Sequence, residues 1–184
     1  MPVRGKKEHP FFSGLIYEAR VPLVWRYVEL RPDEKEIVAA NTANEQLLRL
    51  ITSLSEKPQE QADDDLHAEL ERIDLKITVL LDMASSIIRN QLNLPAAEPV
   101  RMDAQGVEWE TSQPPEPGRL LEVKVYIDPE LPRPLELYGM VKLEKPEDDA
   151  KTAACARMRF VKMGQSVSDE LEKFIFRQHR KEVA

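Results

Sequence analysis

Two stretches of the chain repeat apolar residues at alternating steps of three and four, the spacing of a coiled coil. Such spacing keeps one apolar stripe facing a partner helix over about four heptads. In the longer stretch it predicts a helix, about residues 63–93, that associates with other chains. The predicted stripe consists of Leu66, Leu70, Ile73, Ile77, Leu80, Ala84, Ile87 and Leu94, and it is broken at Gln91.

The shorter stretch predicts a helix at about 33–56, which would form a hairpin with the longer one. Its stripe contains Ile37, Ala40, Asn44, Leu47, Ile51 and Leu54. Asp33 and Glu36 have the spacing of a capping box at its start. An Asn at an a-type position fixes the register of a coiled coil, because its amide is satisfied in one alignment only. We therefore assign Asn44, Leu47 and Ile51 to the same seam; the alternative is that Asn44 faces solvent.

The longer helix also carries apolar residues outside its stripe. These are Leu75, Val79, Leu81, Met83, Ile88 and Leu92. Extra apolar positions require neighbours on more than one side, and a mixture of Ile and Leu at both seam positions favours three or four strands over two. We expect a homotetramer. The alternative is a hairpin that folds flat on its own domain in a monomer.

Outside this helical segment the apolar residues alternate with polar ones, which predicts half-buried antiparallel strands. Clusters of Pro, Gly and Asp separate the alternating runs and indicate turns. Gly164 and the serines after it open a last helix. The pattern predicts a small antiparallel barrel or sandwich with an inserted helical hairpin. The expected strands are residues 19–30, 107–111, 121–127, 135–143 and 152–163.

Composition and charge narrow the class of protein. The chain has 184 residues, 42% of them hydrophobic, and a formal net charge of -7. A negative chain is unsuited to nucleic acid, which is bound by clustered Lys and Arg. Cys155 is the single cysteine, so a reducing compartment is expected. No apolar run approaches the ~18 residues of a membrane span. We expect a cytoplasmic protein without membrane insertion.

No arrangement of residues in the sequence indicates catalysis, a metal or a cofactor. His9, His67 and His179 are scattered, without the spacing of zinc ligands or of a nucleophile and base. The sequence has no glycine-rich phosphate loop and no Gly-x-Ser-x-Gly elbow. The acidic run 63–65 suits the positive end of a helix dipole. The sequence therefore favours a protein that is not an enzyme.

The segment around Arg20, the run 100–118 and the final helix with Phe174, Ile175 and Phe176 together resemble the PilZ domain, a bacterial receptor module for cyclic di-GMP. The resemblance covers about residues 17–31 and 97–182. It implies a small PilZ-like β-barrel domain, 17–31 with 97–184, after an N-terminal tail, 1–16. Residues 32–96 would be an inserted oligomerisation hairpin.

Members of this family that bind the nucleotide carry an Arg-x-x-x-Arg segment and an Asp/Asn-x-Ser-x-x-Gly turn. Set on that pattern, Arg20 matches the second arginine and Gly106 the glycine. Ile16 stands at the first arginine, Arg101 at the acid or amide, and Asp103 at the serine. Each lost contact is worth about 1 to 3 kcal/mol. We therefore expect the affinity for cyclic di-GMP to be lower by more than about two orders of magnitude.

A degenerate, tetrameric branch of the family from plant-pathogenic bacteria carries helical insertions, and this chain resembles it. The resemblance implies an oligomeric adaptor that binds a protein partner in cyclic-di-GMP-linked processes such as motility, pilus function or virulence. Two alternatives stay open. One is a cyclic di-GMP receptor with a rewired site, in which Arg101 supplies the missing cation. The other is a purely structural oligomerisation protein.

Overall fold

The structure, a computed structural model, describes residues 11–30, 32–54, 64–92, 94–128, 131–142 and 155–183. The predicted fold class, an antiparallel PilZ-like sheet with inserted helices and a C-terminal helix, is confirmed. Its strands are β1 (Tyr17–Val21), β2 (Leu23–Tyr27), β3 (Glu98–Met102), β4 (Gly106–Glu110), β5 (Leu120–Val125), β6 (Leu135–Val141) and β7 (Cys155–Phe160). Its helices are α1 (Glu34–Leu54), α2 (Asp64–Leu92) and α3 (Gln165–Val183).

The seven strands form one curled antiparallel sheet in the order β1-β3-β4-β7-β6-β5-β2. Strands β1 and β2 are separated only by Pro22, yet they pair with opposite edges of the sheet, β1 with β3 and β2 with β5. The single extended segment predicted for 19–30 is thus two strands. Proline has no N–H to donate to a strand ladder, so pairing is interrupted at this residue. The chain passes here from one edge of the sheet to the other. The sheet curls because one continuous piece of chain contributes to both of its edges.

The sequence analysis missed β3. The inner face of this strand has only two buried apolar positions, Val100 and Met102, because its third residue is the exposed Glu98. The other predicted strands agree with β4 to β7 within a few residues. The part of the last predicted strand that precedes Cys155 lies outside the described residues. A strand of five residues with two buried positions gives too short a pattern to be recognised.

Two strand carboxylates predicted to face solvent are buried. Glu108 on β4 is 4% exposed and Glu122 on β5 is 3% exposed. Arg101 and Arg157, from the strands on either side of β4, pair with Glu108. Arg26 on β2 and Lys124 on β5 itself pair with Glu122. A buried carboxylate is tolerated when it is paired in this way. Sequence alternation does not reveal the pairs made by Arg26, Arg101 and Arg157, because these three arginines lie on other strands than the carboxylates they cover.

Helix α1 packs within its own protomer, against α3 and β6. Asn44, Leu47 and Ile51, which the sequence analysis assigned to a seam between chains, are 2%, 1% and 4% exposed in the single chain. This is a correction to the predicted seam, and the alternative of a solvent-facing Asn44 is also wrong. The capping box at the start of α1 is present, with Glu36 N–H donating to Asp33 Oδ1 at 2.7 Å.

Helix α2 makes no extensive contact with another helix or strand of the described chain. Within the described residues α1 and α2 share no extensive contact, and the contacts of α1 are with α3 and β6. Leu94 lies beyond the end of α2 and is half-buried, and the side chain of Leu66 lies outside the described residues. Among the described helices, none is long and apolar enough to cross a membrane. The exposed stripe residues of α2 are Leu70, Ile73, Ile77, Leu80, Ala84 and Ile87.

Candidate functional site

The turn between β3 and β4 contains Asp103 and Gly106, two of the positions matched to the nucleotide motif. The Asp103 side chain is 3% exposed. Its Oδ1 accepts hydrogen bonds from the backbone N–H of Gln105 and of Gly106, both at 2.8 Å. An aspartate that accepts from the backbone two and three residues ahead holds a tight turn in place. Asp103 therefore shapes this turn, and its carboxylate is engaged there.

The N-terminal segment, predicted as a tail, covers this turn in its described part. Ser13 N–H donates to Asp103 Oδ2 at 3.2 Å, and Phe11 is 3% exposed. A Cβ on Gly106 would lie 2.7 Å from the Met158 carbonyl oxygen and 2.9 Å from the Phe11 ring. The Arg159 guanidinium lies 4.3 Å from the centre of that ring. Glycine is required at 106 by close packing of the protein itself.

Arg101 belongs to a row of alternating charges across four strands. Glu18, Arg101, Glu108 and Arg157 occupy directly opposed positions on β1, β3, β4 and β7. Arg101 Nη1 lies 3.0 Å from Glu108 Oε1, and its Nε lies 3.6 Å from Glu18 Oε1. Arg157 also pairs with Glu108. Because opposite charges face each other across the strands, the positive charge of Arg101 is compensated on both sides.

Arg20 lies on β1, two residues from Glu18, so both side chains project from the same face of the sheet. Its Nη2 donates to the Ala97 carbonyl oxygen at 3.1 Å. Ile16 precedes β1 and is half-buried. The sheet thus brings Arg20 and Arg101 to one face, while Asp103 is turned inward. The predicted site residues lie in one region, but they do not converge on a common point with available charges.

A cleft of about 460 Å³ opens beside the turn. Its walls come from residues 13–15, from the turn at 103–105 and from α3 at 172–176. Lys173 and Phe176 lie at its α3 side, and Phe176 is 51% exposed. The volume lies within the range of small-molecule sites. Sequence reasoning did not find this cleft, because its three walls are far apart in the chain.

Glu108, Phe11 and Arg159 also shape this region, and local sequence patterns do not indicate this. The alternation in 107–111 puts Glu108 at a polar position, and its pairing with two arginines follows only from the strand register. Within the described ranges, no group of three or more His, Cys, Asp or Glu side chains is placed to hold a metal ion. The region consists of a rigid turn, an ion-pair row and an adjoining cleft.

The curled sheet, the Asp103 turn and the C-terminal helix define a small β-domain of the PilZ class. The family model described as "Atypical PilZ domain, cyclic di-GMP receptor" matches residues 45–184. The chain therefore belongs to the atypical PilZ domain family and is a PilZ-type signalling protein. The match includes α2, so the family pattern extends over the helical insertion, which the sequence analysis had placed outside the resemblance.

One solved structure supports the same fold. It is the crystal structure of a pathogenic protein from Xanthomonas campestris, described as a new tetrameric PilZ domain self-assembled via an unusual helical bundle. The two chains superpose with a TM-score of 0.69 at 21% sequence identity, over 92% of this chain and 90% of that chain. No curated protein matches this chain. At this level of identity the likeness establishes the fold.

Proposed function

We propose that this protein is a non-enzymatic, oligomeric adaptor of cyclic-di-GMP-linked signalling that does not bind the nucleotide at the β3–β4 turn. The observation that carries the proposal is that Arg20, Arg101 and Asp103 each bind other groups of the protein. A nucleotide at this face would have to replace those contacts before it gained its own. Its partner would be a protein, in the cytoplasm, in processes such as motility, pilus function or virulence.

The charges around the turn oppose a dianionic ligand. Glu18 and Glu108 flank Arg101, so a phosphate approaching this guanidinium meets two carboxylates as well. Releasing Arg101 would take one cation away from Glu108, which is 4% exposed. Removing one partner from a buried charge pair is strongly unfavourable. This argues against the alternative in which Arg101 replaces the arginine missing at Ile16.

Self-association through α2 is the second part of the proposal. The apolar stripe of α2 is exposed in the single chain, with Ile73, Ile77 and Ile87 exposed by 44%, 49% and 59%. A second apolar row, Leu75, Val79 and Met83, lies on another side of the helix at steps of four. A helix with two exposed apolar rows can pack against two neighbours, as in a four-helix bundle. We propose a homotetramer built on these rows.

The nucleotide part is tested by isothermal titration calorimetry of the full chain with cyclic di-GMP at tens of micromolar. The expected result is no heat of binding. A dissociation constant below about 1 µM would overturn this part of the proposal. The oligomeric part is tested separately by light scattering, and a monomer at micromolar concentration would contradict it.

Variants that restore the motif residues test whether the sheet still has the geometry of a nucleotide-binding PilZ domain. Ile16→Arg alone adds the missing guanidinium without touching the turn, whereas Ile16→Arg with Arg101→Asp and Asp103→Ser restores the whole motif. The triple variant removes the cation beside Glu108 and the acceptor that holds the turn, so we expect a lower stability. Its thermal melt must be measured first. Binding of cyclic di-GMP by a folded triple variant would show that these three positions account for the absence of binding by the natural chain.

The alternative function is a cyclic di-GMP receptor with a rewired site. The cleft of about 460 Å³ next to the turn favours it, because Lys173 lines the cleft. This cation is paired with Glu170 at 3.0 Å, so a ligand would share it. This reading predicts a calorimetric signal from the natural chain that disappears in Lys173→Ala. Lys181→Ala, on the last turn of the same helix and outside the cleft, is the matched control.

A further inference from the structure

A second cleft, of about 560 Å³, opens at the mouth of the curled sheet. It lies between the start of β2, the start of β3 and the end of β4. The side chains that give it its chemical character are Leu23, Trp25, Glu98, Trp109, Glu110 and Thr111. Mouths of barrel-like sheets are frequent positions for ligand sites. This cleft is separate from the Asp103 turn and from α2.

The strand register explains why these side chains meet. Val100 is opposite Trp109 on β3 and β4, and Glu98 is two residues before Val100, so all three share the inner face of the sheet. Val100 is 1% exposed, whereas Glu98 stands at the open end of the strand and is exposed. Arg20 pairs with Pro99 and therefore projects from the outer face. The mouth is thus apolar inside and acidic at its rim.

Trp109 carries an unpaired donor at this place. The residue is 2% exposed, and its Nε1 has no acceptor among the described residues. A buried indole N–H is normally hydrogen-bonded, and leaving it unpaired costs about 1 to 3 kcal/mol. Because Trp109 lines the cleft, an acceptor brought by a ligand would remove that cost. A peptide carbonyl is such an acceptor.

The charges of the cleft favour a cation. Glu98 forms no ion pair with another described residue, and no cationic side chain lines the cleft. Glu110 is two residues from Glu108 and opposite Cys155, so its carboxylate projects from the outer face; of the two glutamates at the cleft, Glu98 is the one on the inner face. The half-buried Trp25 adds an aromatic ring on the β2 side. Carboxylates beside tryptophan faces attract ammonium and guanidinium groups.

We propose that this cleft binds a Lys or Arg side chain of a peptide segment in a partner protein. The cationic group would lie between Trp25 and the carboxylate of Glu98, and a backbone carbonyl of the same segment would accept from Trp109 Nε1. The inference rests on the proposed adaptor function, since it supplies the partner-binding surface that an adaptor needs. It assigns that surface to the mouth of the sheet.

The experiment uses intrinsic fluorescence, because Trp25 and Trp109 are the two tryptophans of the chain and both line the cleft. The full chain is titrated with three end-blocked pentapeptides of glycine that carry a central arginine, lysine or glutamate. We expect a saturable change in emission with arginine or lysine and none with glutamate. Glu98→Gln should raise the dissociation constant by about tenfold.

The matched control is Glu29→Gln, which removes the same charge from an exposed position outside the cleft. It should bind like the natural chain. Thermal melts of both variants check that they are folded. An equal response to the glutamate peptide, or no response to arginine and lysine up to about 10 mM, would overturn the proposal.

Emission that changes with protein concentration alone would show that a second copy fills the cleft, which also overturns the proposal. These outcomes are separable from a failure of the adaptor function. If the proposed adaptor function is wrong, calorimetry will show cyclic di-GMP binding or light scattering will show a monomer. Neither of those readouts depends on the tryptophans.

Discussion

Helices α1 and α2 carry the same heptad spacing but occupy opposite environments. Leu47 and Leu48 of α1 are 1% and 0% exposed, whereas Ile77 of α2 is 49% exposed. Helix α1 lies against α3 and β6, and α2 packs extensively on no other described element. Heptad spacing therefore indicates that a helix has an apolar stripe, but it does not say whether the same chain or another one covers it.

The hydrogen bonds of Asn44 show that α1 is held by its own protomer. Its Nδ2 donates to the Glu136 carbonyl oxygen at 2.7 Å, and its Oδ1 accepts from Glu136 N–H at 2.9 Å. The amide thus satisfies both backbone groups of one residue on β6. The argument that a buried Asn fixes an alignment applies here to a helix on a sheet. We expect variants of the two helices to have separable effects on stability and on assembly.

The largest expected effect is on assembly, from Ile77→Lys in α2. Each buried Ile contributes about 1.5 to 3 kcal/mol, and a symmetric assembly repeats the loss in every chain and brings like charges together. We expect light scattering to give a tetramer for the natural chain and smaller species for the variant. The circular dichroism of the sheet should not change.

Thr78→Lys is the matched control for Ile77→Lys, since it adds the same charge at the next, exposed position, away from both apolar rows. It should leave the mass unaltered. Val79→Lys, in the second row, separates a two-stranded seam from a bundle, because only a bundle covers that row. An unaltered mass in Ile77→Lys would place the interface elsewhere.

Leu48→Ala in α1 should lower the stability of the protomer without changing the mass of the assembly. Leu48 is fully buried in the core that α1 shares with the sheet. Truncation of a buried Leu lowers the free energy of unfolding by about 2 to 5 kcal/mol. We expect an earlier urea midpoint, while the folded variant keeps the natural mass. Leu50→Ala, on the same helix but 44% exposed, should change the midpoint little.

Asn44→Ala should lower the free energy of unfolding somewhat less than Leu48→Ala does. It removes the two hydrogen bonds to Glu136, and each buried polar group left unpaired costs about 1 to 3 kcal/mol. The urea midpoint should fall without a change in mass. A fall in mass with no loss of stability would contradict the assignment of Asn44 to the protomer core.

The smallest expected effect is a loss of stability at alkaline pH in the sheet. Burial, with help from Glu122 and Glu136, raises the pKa of Tyr138 above its ordinary 10.0. Burial lowers the pKa of Lys124, but the hydrogen bond and charge of Glu136 outweigh it, so that pKa lies above 10.5. Both groups bind protons more tightly when folded, so their contribution is complete below about pH 10 and is lost above it.

Urea midpoints between about pH 8 and about pH 11 measure this loss. Tyr138→Phe removes the tyrosine part and should make the alkaline decline shallower. An identical decline in Tyr138→Phe and in the natural chain would mean that Tyr138 does not contribute.

Local patterns along the sequence determined much of the fold. The alternation in 107–111, 121–127 and 135–143 predicted three strands, and the spacing of three and four predicted both inserted helices close to their observed bounds. Asp33 and Glu36 fixed the start of α1. These features depend on residues that are near neighbours in the chain, so the sequence contains all the information needed to find them.

Only the tertiary structure decided what the elements touch. It divided one extended segment at Pro22 between two sheet edges, covered Glu108 with arginines from two other strands, and turned the α1 stripe inward. It also engaged Asp103 in a turn and placed Trp109 at the mouth of the sheet, where its N–H meets no acceptor among the described residues. Each outcome depends on residues distant in sequence, whose pairing is set by strand register and packing rather than by local periodicity.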